Sequence, residues 1–125
     1  MDILNNLDKN TKILNISNCG LKGVLDLEDF KNLEELDCSK NEITEIINIP
    51  KNIKCVDCSF NKLEELRLYY WTYRKLEELY CNYNEITTLV IPEIKKVNSA
   101  NNKISELESQ IKDLSFENTR SIVNL

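Results

Sequence analysis

Three thiols, Cys38, Cys58 and Cys81, recur 20 and 23 residues apart. Brought side by side on neighbouring strands, they would make a soft ligand set of the kind that holds zinc. The rest of the chain argues against that chemistry. It contains no histidine, its five cysteines are an odd number, and no CxxCxxxH-like cluster is present. The slot that holds these thiols also accepts Ile16, Ser99 and Phe116 in neighbouring copies of the pattern described below. A position that takes Ile and Phe is an interior packing position, where Cys acts as a small hydrophobe. Cys55 occupies a different, outward slot and is the thiol expected to meet solvent; no histidine or flanking cation marks it as activated. A Ser-His or Cys-His pair and a glycine-rich phosphate loop are likewise missing, and no apolar setting would raise a carboxylate pKa. The residue types therefore predict a protein that is not an enzyme, with no catalytic residue, metal or cofactor.

The charge balance narrows the partners. Sixteen Lys and Arg stand against 21 Asp and Glu, for a net charge of −5. Such a surface repels phosphate backbones, so nucleic acid is excluded as the expected partner. The opening MDILNNLDKN lacks a basic stretch followed by an apolar run of secretory length, and no apolar segment reaches the ~20 residues that span a bilayer. These features predict a soluble cytoplasmic chain with no membrane partner. At 125 residues it fits one domain able to bury roughly two-thirds of its unfolded surface.

The elements that must position the thiols and acids come from an internal repeat. Four segments align without gaps: LEELDCSKNEITEI (33–46), IKCVDCSFNKLEEL (53–66), LEELYCNYNEITTL (76–89) and IKKVNSANNKISEL (94–107). Their common form is LxxLxCxxNxLxxL. Upstream, TKILNISNCGLKGV (11–24) fits with Cys19 in the Asn slot; downstream, IKDLSFENTRSIVN (111–124) keeps only the first half. Each unit alternates apolar and polar residues around its centre, as a half-buried strand does. Some twenty residues then suffice to loop back and lay the next strand alongside in parallel, ~4.8 Å away.

With this spacing the chain resembles the leucine-rich repeat family over residues 11 to about 122. The Cys at the sixth position and the Ile-Pro of IINIPKN and LVIPEIK resemble the short-repeat subtype of bacterial and large-virus proteins. The resemblance implies an α/β repeat fold, a right-handed solenoid. One parallel sheet would line its concave face, with short irregular or 3-10 segments on the convex face. Residues 1–125 then form a single domain: an N-terminal cap at 1–10, units starting near 11, 33, 53, 76, 94 and 111, and a C-terminal cap at 121–125. Ile3, Leu4 and Leu7 supply the first cap, and Ile122, Val123 and Leu125 the second.

Each column of the repeat has a predicted task. The ladder Asn41, Asn61, Asn84 and Asn102 sits where the chain leaves the strand, and an Asn amide can both donate to and accept from the unpaired backbone of a turn. Cys19 donates weakly, so the first turn should be looser. Outward positions of the middle units hold six acids, two bases and three rings. From these the candidate partner-binding set is Glu35, Asp37, Asp57, Phe60, Glu78, Tyr80 and Tyr83, an acidic centre beside an aromatic patch. In the aromatic run LYYWTYRK (68–75), counting back from Leu76 assigns Tyr70 and Tyr73 to the core. Leu68, Tyr69 and Trp71 are left on the convex side, with Tyr69 and Trp71 as a secondary contact. The expected function is a protein-protein interaction module whose strand face holds an unidentified protein with a basic or mixed surface. The alternative is a structural homo-oligomer joined through the solenoid ends or the Trp71 region.

Overall fold

The structure, a computed structural model, describes residues 2–110 and 120–124. A single helical turn, α1 (Asp2–Asn5), precedes two series of strands. The odd-numbered series is β1 (Ile13–Asn15), β3 (Glu35–Asp37), β5 (Cys55–Asp57), β7 (Glu78–Tyr80) and β9 (Lys96–Asn98). The even-numbered series, on the returning chain, is β2 (Lys22–Asp26), β4 (Glu42–Ile47), β6 (Glu65–Arg67), β8 (Thr88–Pro92) and β10 (Glu106–Gln110), with β11 (Arg120–Asn124) closing the chain. Each repeat thus contributes one strand to each side of a parallel-sheet solenoid.

The odd strands form one continuous parallel sheet in the order β1-β3-β5-β7-β9. Its register places Leu14, Leu36, Val56, Leu79 and Val97 in one row. These are the fourth positions of successive units; the first four are buried and Val97, on the last strand, is exposed. The sixth position, two residues on and therefore on the same face, buries Ile16, Cys38, Cys58 and Cys81.

The convex side carries no helix among its described residues, and its segments are extended rather than 3-10. They pair in two separate sheets: β2 with β4, and β6-β8-β10 with β11 added antiparallel to β10. β4 and β6 are not paired, so the return side is interrupted between the second and third units. The unit predicted near residue 111 and most of the residues assigned to the C-terminal cap contacts lie outside the described residues or have undescribed side chains; β11 reverses the winding direction of the earlier return strands.

Two expectations about the core are corrected. The ungapped alignment aims Val24 inward, yet Val24 is 47% exposed and Leu25 is fully buried. The register shifts between Gly23 and Val24, which pair with Ile43 and Glu45, leaving Thr44 unpaired; Leu25, not Val24, falls opposite Ile46, so the first unit carries one residue more than the second. A one-residue shift exchanges the two faces of a strand, and Gly23, at φ 76°, supplies the left-handed conformation there. The second correction concerns the aromatic run. Leu68, only 1% exposed, takes the deep slot that counting gave to Tyr70. Its N–H donates to the Val90 carbonyl as that of Leu27 donates to Ile47. The third unit is longer, and its extra residues follow the buried slot rather than precede it. Tyr70 is half-buried, and Tyr73 packs partly buried against the core, as predicted, with its hydroxyl donating to the Ile49 carbonyl at 3.3 Å.

At the N-terminus Leu4 is buried, Leu7 is half-buried and Ile3 remains exposed. The Lys9 ammonium lies 4.7 Å from the centre of the Phe30 ring and donates to the Leu4 carbonyl.

Candidate functional site

The face is built from the turn that follows each odd strand. At its eighth position each of the five described units adopts a left-handed backbone: Asn18, Lys40, Phe60, Tyr83 and Asn101 have φ between 52° and 60°. Successive turns lock one another, because the N–H of Asn18, Lys40, Phe60 and Tyr83 each donates to the seventh-position carbonyl of the next unit, at 2.9–3.0 Å. Asn tolerates this conformation, whereas a bulky side chain pays about 1–2 kcal/mol for it.

Behind the turns the Asn column ties units together. The Asn61 amide donates to the Cys38, Cys58 and Ser59 carbonyls and accepts the Ile43 N–H at 3.0 Å. Asn84 and Asn102 repeat the pattern one and two units on, accepting from Leu63 and Ile86. Asn41 accepts from both Cys19 and Leu21, so the first turn borrows its acceptor from the second unit. Among the described residues no buried side-chain nitrogen or oxygen lacks a partner.

The fifth position has a local task that sequence reasoning missed. Asp37 accepts the Ser39 N–H and hydroxyl at 3.0 and 2.6 Å, and Asp57 does the same for Ser59. Asn15 does so for Ser17. The signal was present: NIS, DCS and DCS at 15–17, 37–39 and 57–59 are recurrent Asx-turn motifs. Each Asp therefore commits one carboxylate oxygen to its turn and offers the other outward. The fourth unit breaks the motif with YCN, and the Tyr80 hydroxyl instead donates to Glu78 at 2.6 Å. That bond pushes the Tyr80 pKa up to about 12.

Register aligns Glu35, Cys55 and Glu78 across three strands, with Asp37, Asp57 and Tyr80 one row over. The Cys55 thiol is half-buried and its pKa is raised, first by burial and then by Glu78, Glu35, Asp57 and Asp37. The charge of acids on β3, β5 and β7 is thus felt at the central thiol. The exposed thiol is Cys19, contrary to the expectation that Cys55 would be the one in solvent. Cys55 and Cys58 stand in C-x-x-C spacing, but the strand alternation sends Cys58 inward, and both thiols are free. Burial drives Cys38 and Cys81 up to about 12 and Cys58 well above the ordinary thiol value.

Beside the acids, the rings of Phe60 and Tyr83 stack with centroids 4.5 Å apart and planes 9° from parallel. They remain 45% and 49% exposed. Tyr80 stands half-buried on β7 and turns its hydroxyl toward Glu78 rather than joining the stack. On the opposite side of the molecule Tyr69 stacks on Trp71 at 4.7 Å, Tyr70 meets Trp71 edge-on at 5.9 Å, and Trp71 is 46% exposed. The Tyr70 N–H donates to the buried Gln110 side chain at 2.8 Å.

Second-position residues form an alternating row, Lys12, Glu34, Lys54, Glu77, Lys95, along the strand-entry edge. Glu34 pairs with Lys54 at 3.2 Å and Lys12 at 4.0 Å, and Glu77 with Lys95 at 3.4 Å. The Lys54 hydrogen bond and charge hold the Glu34 carboxyl below its usual range.

A family model described as Leucine Rich Repeat matches residues 10–33, 32–53 and 75–97, more than half of the chain. The chain belongs to the leucine-rich repeat family, in agreement with its sheet topology. No curated protein matches it. Among the described residues no three His, Cys, Asp or Glu side chains are grouped to hold a metal, and no helix is long and apolar enough to cross a membrane.

Proposed function

We propose that the protein is a non-catalytic interaction module whose five-stranded face holds a protein partner with a basic or mixed surface. The observation that carries this reading is the Phe60–Tyr83 stack: two large rings, half in solvent, held in a backbone conformation that disfavours them. Asn18 and Asn101 occupy the same slot at no such cost. Exposed rings kept in a strained turn are typical of sites retained for contact rather than for folding. Glu35, Asp37, Asp57 and Glu78 beside them steer a cationic partner, while Tyr80 braces Glu78. Tyr69 and Trp71 form a second surface.

The chain acts in this reading as a single cytoplasmic domain over residues 1–125, with thin caps. Its Cys and Ile-Pro pattern supports the short-repeat subtype of bacterial and large-virus proteins. The test is capture of partners from the native cell by wild type and by Phe60→Asn with Tyr83→Asn. Loss of the captured protein with an unchanged melting curve supports the strand face. Retention, together with loss on Trp71→Ala, moves the site to the convex side.

A further inference from the structure

Two residues before each of the first four units starts, the chain places a cation: Lys9, Lys31, Lys51 and Arg74 precede the starts at 11, 33, 53 and 76. Lys9 is spent on Phe30. The other three are exposed. In a molecule of net charge −5 this is a concentrated counter-charge, and the structure gathers it into two grooves. The first, of about 380 Å³, is lined by Lys31 and Lys51 around the half-buried Pro50, with Leu27 and Ile49 buried beneath and one acid, Glu28. The second, of about 630 Å³, is lined by Lys54, Arg74, Lys75 and Lys95 around the half-buried Ile94, with Leu76 buried beneath and with Glu77 and Glu93. Lys51 of the first groove and Lys54 of the second stand three residues apart on one segment. Together they set six cations against three carboxylates. Lys54 and Lys95 are partly neutralised by Glu34 and Glu77, but Lys51 and Lys75 make no ion pair among the described residues.

We infer that this edge is a second binding site, for an extended acidic peptide segment of a partner protein. The occupant follows from the lining. Apolar floors beneath basic rims fit a chain that alternates carboxylates with apolar side chains, seating the latter and pairing the former. The unit repeat presents the cation column at steps near one strand spacing, ~4.8 Å, which long Lys and Arg stems adjust to the ~7 Å between alternate residues of an extended chain. A nucleic acid fits less well. Its unbroken row of phosphates would run against Glu28, Glu77 and Glu93, whereas separate carboxylates can be placed between them. This site is independent of the acidic strand face and has the opposite charge preference.

The experiment is fluorescence anisotropy of a short labelled peptide alternating Glu with Val and Ser, titrated with the full chain at low salt. Binding should weaken roughly tenfold in Lys51→Ser, Arg74→Ser, Lys75→Ser combined. The three substituted side chains are exposed, so the melting curve should not move. Glu35→Gln with Glu78→Gln should leave peptide binding unchanged or slightly stronger. Absence of binding, equal binding by the triple variant, or stronger competition by an oligonucleotide of equal charge than by unlabelled peptide would each overturn the assignment.

Discussion

The strand side and the return side are made by the same units, yet only one of them is uniform. On the strand side five strands of three residues pair without interruption, and each of the five turns that follow them has a left-handed eighth residue. On the return side the strands run from three to six residues, a register shift interrupts β2 and β4, and the sheet breaks before β6. Unit spacings of 22, 20, 23 and 18 residues are absorbed almost wholly there. The difference has a physical source. The strand-side exit is over-determined by the Asn column, the Asx turns and the cross-unit backbone bonds, whereas the return side needs only enough apolar side chains to close the core.

The sharpest test is in the longest unit. Leu68→Ala should cost about 2–5 kcal/mol in denaturant melts, because a fully buried side chain leaves a cavity. Tyr70→Ala, from a half-buried site, should cost much less; the reverse order would restore Tyr70 to the core. On the strand side, Asn61→Ala should cost about 1–3 kcal/mol by stranding three carbonyls and an amide in the middle of the stack. Asn102→Ala, at a half-buried position nearer the end, should cost less. Equal losses would mean the column does not act through burial.

At the break between the return sheets, Tyr73→Phe should lower stability by only about 0.5–1 kcal/mol, since it removes one hydroxyl bond to Ile49 and keeps the ring. The smallest effect is one of rate alone. A thiol reagent near neutral pH should label Cys19 first, Cys55 more slowly, and Cys38, Cys58 and Cys81 only on unfolding. The sign with pH follows. Because Cys38 and Cys81 titrate near 12 in the fold, against 9.0 for an ordinary thiol, their contribution is intact below about pH 9 and is lost as pH rises towards 12. Melts that hold steady across that window would contradict their burial.

Much of the fold was legible because a repeat reports the same constraint several times. The parallel sheet follows from a period-2 alternation recurring at nearly fixed intervals, and the five odd strands fall on the five aligned segments. What escaped notice was local. The first unit runs one residue longer between Leu21 and Leu25 than the second does between Ile43 and Ile46; that extra residue, beside the left-handed Gly23, is invisible to an ungapped alignment and reassigns Val24 and Leu25. Leu68 could not be ranked against Tyr70 because the loop length on either side of the buried slot is free to vary. At the candidate site, the columns of Glu35, Asp57 and Tyr83 could be read from spacing. Two clues there went unused: D-x-S marks Asp37 and Asp57 as turn formers, and Asn18 and Asn101 mark the slot of Phe60 and Tyr83 as left-handed. The return strands have short, mixed sequences whose pairing depends on neighbours rather than on pattern.

The gap between β4 and β6 has a mechanical consequence. Where both sides of the solenoid are hydrogen-bonded at the same ~4.8 Å spacing, adjacent units resist bending. At the step from the second to the third unit only the strand side is fully laddered; behind it the Lys62 N–H reaches the Ile43 carbonyl at the start of β4, and beyond that lie the half-buried Ile46, a cavity of about 200 Å³ and the Tyr73 hydroxyl bond. Among the described residues this step is the least braced, and it falls beneath the row where Asp37 meets Asp57. A load that widened the gap would close the opposite face around its acidic centre, so grip and posture on the two sides are coupled through a single missing strand pair.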